Sequence, residues 1–232
     1  MKPIEKIFDS NEQLAEQLAQ SITDDLRTAI AVRSKASLVV SGGRTPARMF
    51  AALSQQDLAW DKVWITLTDE RWVDADHADS NEAMLRKTLL RHHAAAAHFV
   101  PLKNSATTAL AGETECEKKL AAVPRPFDVV VLGMGDDGHF ASLFPQAPQL
   151  ATGLNLANQH LCLAVDPITA PHSRMSLTLA ALLNSRRIVM QLSGANKWKV
   201  YQQALLAGEI KDLPIRAVLK QQQTPVEVYW AK

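Results

Sequence analysis

The chain has 232 residues, 47% of them hydrophobic and 21% charged, with 9 glycines and 11 prolines, a balance that excludes disorder, collagen and coiled coil and suits one globular domain over 1–232. Its 25 basic and 24 acidic side chains leave a net charge of +1, so no overall field draws it to nucleic acid or anionic lipid, and a charged ligand must be held locally. No apolar run approaches the ~20 residues of a membrane span, the start lacks a signal-peptide core, and Cys116 and Cys162 stand far apart without a CxxC pattern; together these predict a cytoplasmic protein with no disulfide framework.

Along the chain, Leu14, Leu18, Ile22, Leu26 and Ile30 recur every four residues and form the apolar stripe of a helix over 11–31, opened by Ser10 and Gln13 as a capping box. β-Branched or apolar runs at 36–40, 63–67, 127–132, 160–165, 187–192 and 226–230 predict strands. Helix-like stretches at 45–53, 81–91, 114–122, 175–183 and 195–206 alternate with them, and 146–159, with two prolines and a glycine, reads as a surface loop. Strands that are apolar almost throughout, alternating with helices, predict an α/β fold: a doubly wound, mostly parallel Rossmann-like sheet with helices on both faces. Ligands in such sheets bind beyond the carboxyl ends of the strands.

Three strand ends carry unusual chemistry. After Val40 comes Ser41-Gly42-Gly43-Arg44-Thr45-Pro46, where the glycines allow a sharp turn, Thr45 suits an N-cap and Pro46 the first helical position. Free N–H groups at that helix start, with Arg44 beside them, suit an anion such as phosphate, although an ordinary strand-to-helix turn reads the same way. Next, Thr68-Asp69-Glu70-Arg71 places three charges at the mouth of a buried strand, where they either face a cleft or form a solvated turn closed by an Arg–carboxylate pair. The most distinctive segment is Gly133-Met134-Gly135-Asp136-Asp137-Gly138-His139. It matches the dinucleotide pattern G-x-G-x-x-G in form only, because Asp136 and Asp137 set two negative charges where a pyrophosphate would sit and Pro145 interrupts the helix that should follow. The glycines instead frame a tight turn that presents Asp137 and His139 together, a carboxylate able to fix the tautomer of a general base.

Downstream, Arg174 precedes the stretch 175–183 and Lys197 follows Ser193-Gly194-Ala195-Asn196; each is either an anion contact or a solvated surface charge. The other histidines, among them His77, His92, His93, His98 and His172, lack carboxylate or cysteine partners at ligand spacing, so no metal site is expected. No Gly-x-Ser-x-Gly elbow occurs, and the 6% aromatic content is not interleaved with basic runs, which argues against a serine hydrolase and against nucleic-acid binding.

Taken in order, Ser-Gly-Gly-Arg-Thr-Pro at 41–46, Thr-Asp-Glu-Arg-Trp-Val at 68–73 with Asp79-Ser80-Asn81, Gly-Met-Gly-Asp-Asp-Gly-His-Phe-Ala-Ser-Leu-Phe-Pro at 133–145, Arg174-Met175-Ser176-Leu177-Thr178 and Ser193-Gly194-Ala195-Asn196-Lys197 resemble the glucosamine-6-phosphate isomerase/6-phosphogluconolactonase family. The resemblance runs from about residue 30 to about residue 205 and falls on the lactonase side. The deaminase pattern places Tyr where Arg71 stands and Glu where Phe144 stands. The resemblance implies hydrolysis of 6-phospho-D-glucono-1,5-lactone to 6-phosphogluconate, with no metal or organic cofactor. His139 is then the general base and Asp137 its orienting partner. Arg71 serves the oxyanion or else the phosphate, and Asp69 contacts the sugar or the base. Gly43, Arg44 and Thr45, with Arg174 and Lys197, hold the 6-phosphate, although the family often has Ser at position 44. Beyond its small-molecule substrate no nucleic-acid or membrane partner is implied, and the protein is expected to be a monomer, with a homodimer as the alternative. Two other readings compete: a sugar-phosphate isomerase or deaminase, and a non-catalytic sugar-phosphate sensor.

Overall fold

The computed structural model describes residues 2–232. Its ten strands are β1 (Ile4–Phe8), β2 (Ala36–Val40), β3 (Val63–Leu67), β4 (Asp69–Arg71), β5 (His98–Val100), β6 (Val129–Leu132), β7 (Cys162–Val165), β8 (Arg174–Leu177), β9 (Ile188–Ser193) and β10 (Val226–Ala231). Its helices are α1 (Asn11–Arg33), α2 (Ala47–Ser54), α3 (Asn81–Thr88), α4 (Ala109–Leu120), α5 (Leu150–Leu154), α6 (Leu179–Leu183), α7 (Ala195–Leu205) and α8 (Arg216–Leu219). Seven strands form one all-parallel sheet in the order β1-β10-β9-β6-β2-β3-β5. Every residue of β2 and β6 is buried, as expected of central parallel strands covered on both faces. The α1 stripe is the one predicted: Leu14, Leu18, Ile22 and Leu26 have no exposed surface, each burial being worth roughly 1.5–3 kcal/mol. Ser10 accepts from the Gln13 N–H as its N-cap.

The chain runs outward from β2 through β3 to β5, returns to β6 on the other side of β2, and runs outward again through β9 to β10. β2 and β6 are therefore the topological switch point, and the loops after them diverge there to leave a crevice.

A second, antiparallel sheet in the order β4-β8-β7 departs from the expected arrangement. The stretch 175–183 is not one helix. It splits at Thr178, whose N–H closes onto the Leu161 carbonyl (2.9 Å) and whose hydroxyl caps α6, so that Arg174–Leu177 are strand. The strand expected at 160–165 begins at Cys162 and joins this small sheet. Other bounds shift as well: α4 begins at Ala109, β6 begins at Val129 with Phe127 reduced to a single bridge to Ser185, and the loop 146–159 contains α5. The outer edge of β7 is closed by α4, where Glu113 accepts from the Ala164 N–H (2.7 Å) and Glu117 from those of Leu161 and Cys162 (2.9 and 3.3 Å), which occupies an edge that another strand could otherwise pair with.

Cys116 and Cys162, distant in sequence, meet between α4 and β7 as buried free thiols; the contact with Cys116, then burial, push the Cys162 thiol up. No helix of the described residues is long and apolar enough to cross a membrane.

Candidate active site

The loop after β6 turns back on itself, with the Gly135 N–H donating to the His139 carbonyl (2.8 Å) and the Gly138 N–H to that of Gly135 (3.1 Å). This brings the His139 ring onto Asp137: Nδ1 lies 2.6 Å from Oδ1, and the same oxygen accepts from the His139 N–H (3.2 Å). Burial would raise the Asp137 carboxyl, but the hydrogen bond and charge of His139 outweigh it and hold it below the usual carboxylate range. With Nδ1 protonated toward Asp137, Nε2 is the basic nitrogen. The Phe144 ring packs at 4.1 Å on the imidazole. Gly135 has to be glycine, since a Cβ there would fall 2.1 Å from His139 Nδ1.

The charges at the end of β3 sort into three roles. Asp69 is buried and both of its oxygens are taken, by the Thr68 hydroxyl (2.9 Å) and the Ser142 hydroxyl (2.6 Å). Glu70 is buried more deeply and accepts from the N–H groups of Arg71 (2.7 Å), Asn81 (2.8 Å) and Glu82 (2.7 Å) and from the Ser80 hydroxyl (3.2 Å), which fixes the start of α3. Burial pushes its carboxyl up, against the pull of those backbone donors. Arg71 reaches out to the Asp79 carbonyl. Neither reading of the triplet as a solvated turn or an Arg–carboxylate pair fits: two of the three charges are buried, and among the described residues the Arg71 guanidinium goes to the Asp79 carbonyl and forms no ion pair with Asp69 or Glu70. Asn81 donates to the Asp69 carbonyl (2.8 Å) and crowds Gly42, where a Cβ would lie 1.9 Å from Oδ1.

The β2 loop and the β9 end face each other across the crevice. Among the described helices of eight residues or more, α1, α3 and α4 carry a hydroxyl N-cap, whereas α2 and α7 begin with no side-chain cap. These two helix starts line the crevice, and with no side chain capping them they offer partial positive charge to an anion. Thr45 makes no capping hydrogen bond to α2, which begins at Ala47; Pro46 just before it already has helical backbone angles, as suits the first helical position.

Two adjoining cavities result. One of about 100 Å³ is lined by Asp69, Arg71, Asn81, His139 and Ala141; the other, of about 190 Å³, by Thr45, Gln191, Ser193 and Lys197; both share Ser41, Gly42, Gly43 and Gly133. Of the residues singled out in the sequence, His139, Arg71 and Asp69 thus meet at one end, with Asp137 behind His139, and Gly43, Thr45 and Lys197 at the other. Arg44 is exposed and lines neither cavity. Arg174 also lines neither: it opens β8 opposite Arg71, is buried, and donates to the Pro171 carbonyl (2.9 Å), and burial together with the neighbouring Arg71 charge lowers its pKa. Sequence reasoning missed Gln191, which is buried and donates to the Thr45 carbonyl (3.3 Å), and the buried hydroxyls of Ser41, Thr68 and Ser142. Gln191 and Ser193 sit at the end of a predicted strand, a position that was itself a signal. A larger apolar groove of about 910 Å³, between α5 and the 210–221 segment, shares no lining residue with either cavity.

Fold and site together define an α/β protein with a cleft at its switch point, where two helix starts without side-chain caps adjoin a histidine held by a carboxylate. Residues 9–230 match the family model described as glucosamine-6-phosphate isomerases/6-phosphogluconolactonase, and the chain belongs to this family. It is 44% identical over 224 residues to a 6-phosphogluconolactonase of Mesorhizobium japonicum, covering 97% of this chain and 93% of that one. To a 6-phosphogluconolactonase of Pseudomonas putida it is 41% identical over 217 residues, covering 94% and 88%. The crystal structure of a 6-phosphogluconolactonase from Shewanella baltica superposes with a TM-score of 0.97 at 48% identity, covering 100% of this chain and 98% of that one.

Proposed function

We propose that this protein, as one domain over 1–232 in the cytoplasm, hydrolyses 6-phospho-D-glucono-1,5-lactone to 6-phosphogluconate in the oxidative pentose phosphate pathway. The observation that carries the assignment of roles is the division of one cleft into a His–Asp end and an uncapped-helix end. A phosphate seated between α2, α7 and Lys197 extends the lactone ring toward His139. Water attacks the C1 carbonyl as His139 Nε2 takes its proton. The oxyanion is met by Arg71 and by N–H groups of the Gly42-Gly43 loop. The ring oxygen then leaves as a hydroxyl, taking the proton back from His139.

Positioned base catalysis supplies ~10²–10⁴-fold and an oxyanion donor ~10²–10³-fold, enough for an activated ester, with no covalent nucleophile in the scheme. With both oxygens engaged, Asp69 acts as a positioning residue and not as a second base. Deamination is disfavoured at the same site, because Phe144 covers the histidine with a ring where a carboxylate would tune it.

The test is the disappearance of freshly made lactone near pH 7 with the uncatalysed rate subtracted. His139→Ala is expected to lower kcat by about 10²–10⁴-fold. Near-full activity in that variant would remove His139 as the base. Equal turnover of the unphosphorylated lactone would remove the phosphate anchor.

A further inference from the structure

Lys197, among the described residues the only cation lining the 190 Å³ cavity, is already engaged. Its Nζ lies 3.0 Å from Oδ1 of Asp136, with the lysine side chain 28% exposed and the aspartate 76%. Asp136 stands immediately before Asp137 on the loop that presents His139, and its carboxylate makes no other hydrogen bond or ion pair among the described residues. An acidic side chain therefore occupies the one ammonium group at an otherwise electropositive end of the cleft.

We infer that Asp136 is an internal competitor for the phosphate group and so sets the affinity of the site; this rests on the assignment of that end of the cleft to phosphate. In the free enzyme the carboxylate holds Lys197. An arriving phosphate, with more charge and more acceptor oxygens, takes the ammonium, since two anions cannot share it without repelling each other. When product leaves, Asp136 recaptures Lys197. The phosphate is unchanged by the reaction, so loosening its hold weakens substrate and product alike and shortens the stay of a product that carries a new carboxylate as well as the phosphate.

The test is a double-mutant cycle between Asp136→Asn and Lys197→Met, read as competitive inhibition constants for inorganic phosphate and for 6-phosphogluconate. Asp136→Asn alone is expected to tighten both by roughly two- to fivefold, the strength of a partly exposed ion pair, and to change neither in the Lys197→Met background. Equal tightening in that background would mean general charge repulsion and overturn the competitor role, as would no tightening in the otherwise unaltered enzyme. Lys197→Met must itself weaken phosphate. If it does not, the phosphate assignment fails whatever Asp136 does, whereas weakening by Lys197→Met without tightening by Asp136→Asn sinks the competitor alone.

Discussion

At the His139 end of the cleft, position comes from side chains locked to one another: Asp137 on the imidazole, Thr68 and Ser142 on Asp69, and four donors on Glu70 that hold Arg71 and Asn81 in place. At the Lys197 end it comes from backbone, two helix starts and a glycine loop, with half-buried Ser193 and Lys197 and exposed Thr45 around them. The two ends suit different tasks. Proton transfer depends on one nitrogen standing at one angle, whereas a phosphate is a diffuse charge that a set of N–H dipoles accommodates. Single-atom changes should therefore be severe at the first end and mild at the second.

The sharpest break is Gly135→Ala. Its Cβ would displace the imidazole from Asp137, so kcat should fall by about 10²-fold or more, approaching the loss in His139→Ala, with the inhibition constant of inorganic phosphate little changed. An equal loss of phosphate binding would show that the ends are not separable. Glu70→Gln comes next. All four partners of the carboxylate are donors, so an amide NH2 must face at least one of them, and stability in urea should drop by about 1–3 kcal/mol, with a lower kcat as Arg71 loses its anchor. Unchanged stability would mean that the network is not a clamp. The smallest effect belongs to Arg44→Ala. Since Arg44 is exposed and outside both cavities, KM should shift by no more than about twofold, and a tenfold rise would return it to the phosphate site.

How much the sequence disclosed follows the same division. The glycine loops at 41–46 and 133–139 were legible because only backbone freedom and close approach explain such residues at the ends of buried strands. The parallel sheet was legible because β2, β3, β6, β9 and β10 are apolar almost throughout. The small antiparallel sheet was not: Arg174–Leu177 runs straight into Leu179–Leu183, and an apolar stretch of that length satisfies helix and strand alike until Thr178 is seen to break it. β1 and β5 are edge strands, and with little to bury they show no clear pattern. Asp69 and Glu70 were seen as charges, but their burial was not, because the hydroxyls and N–H groups that compensate them lie as many as 73 residues away. The exclusion of Arg44 and Arg174 from the cavity lining was hidden for the same reason: sequence places residues on a loop but does not aim their side chains.

The two uncapped helices have a thermodynamic corollary. Where α1, α3 and α4 complete their first turn with a serine or threonine of the chain, α2 and α7 have no such side chain. For the phosphate seat proposed above, linkage makes the coupling quantitative: a ligand at 100 times its dissociation constant adds about 2.7 kcal/mol to the stability of the folded form. The proposed phosphate seat thus predicts a melting temperature that rises with the concentration of phosphate ester around the protein.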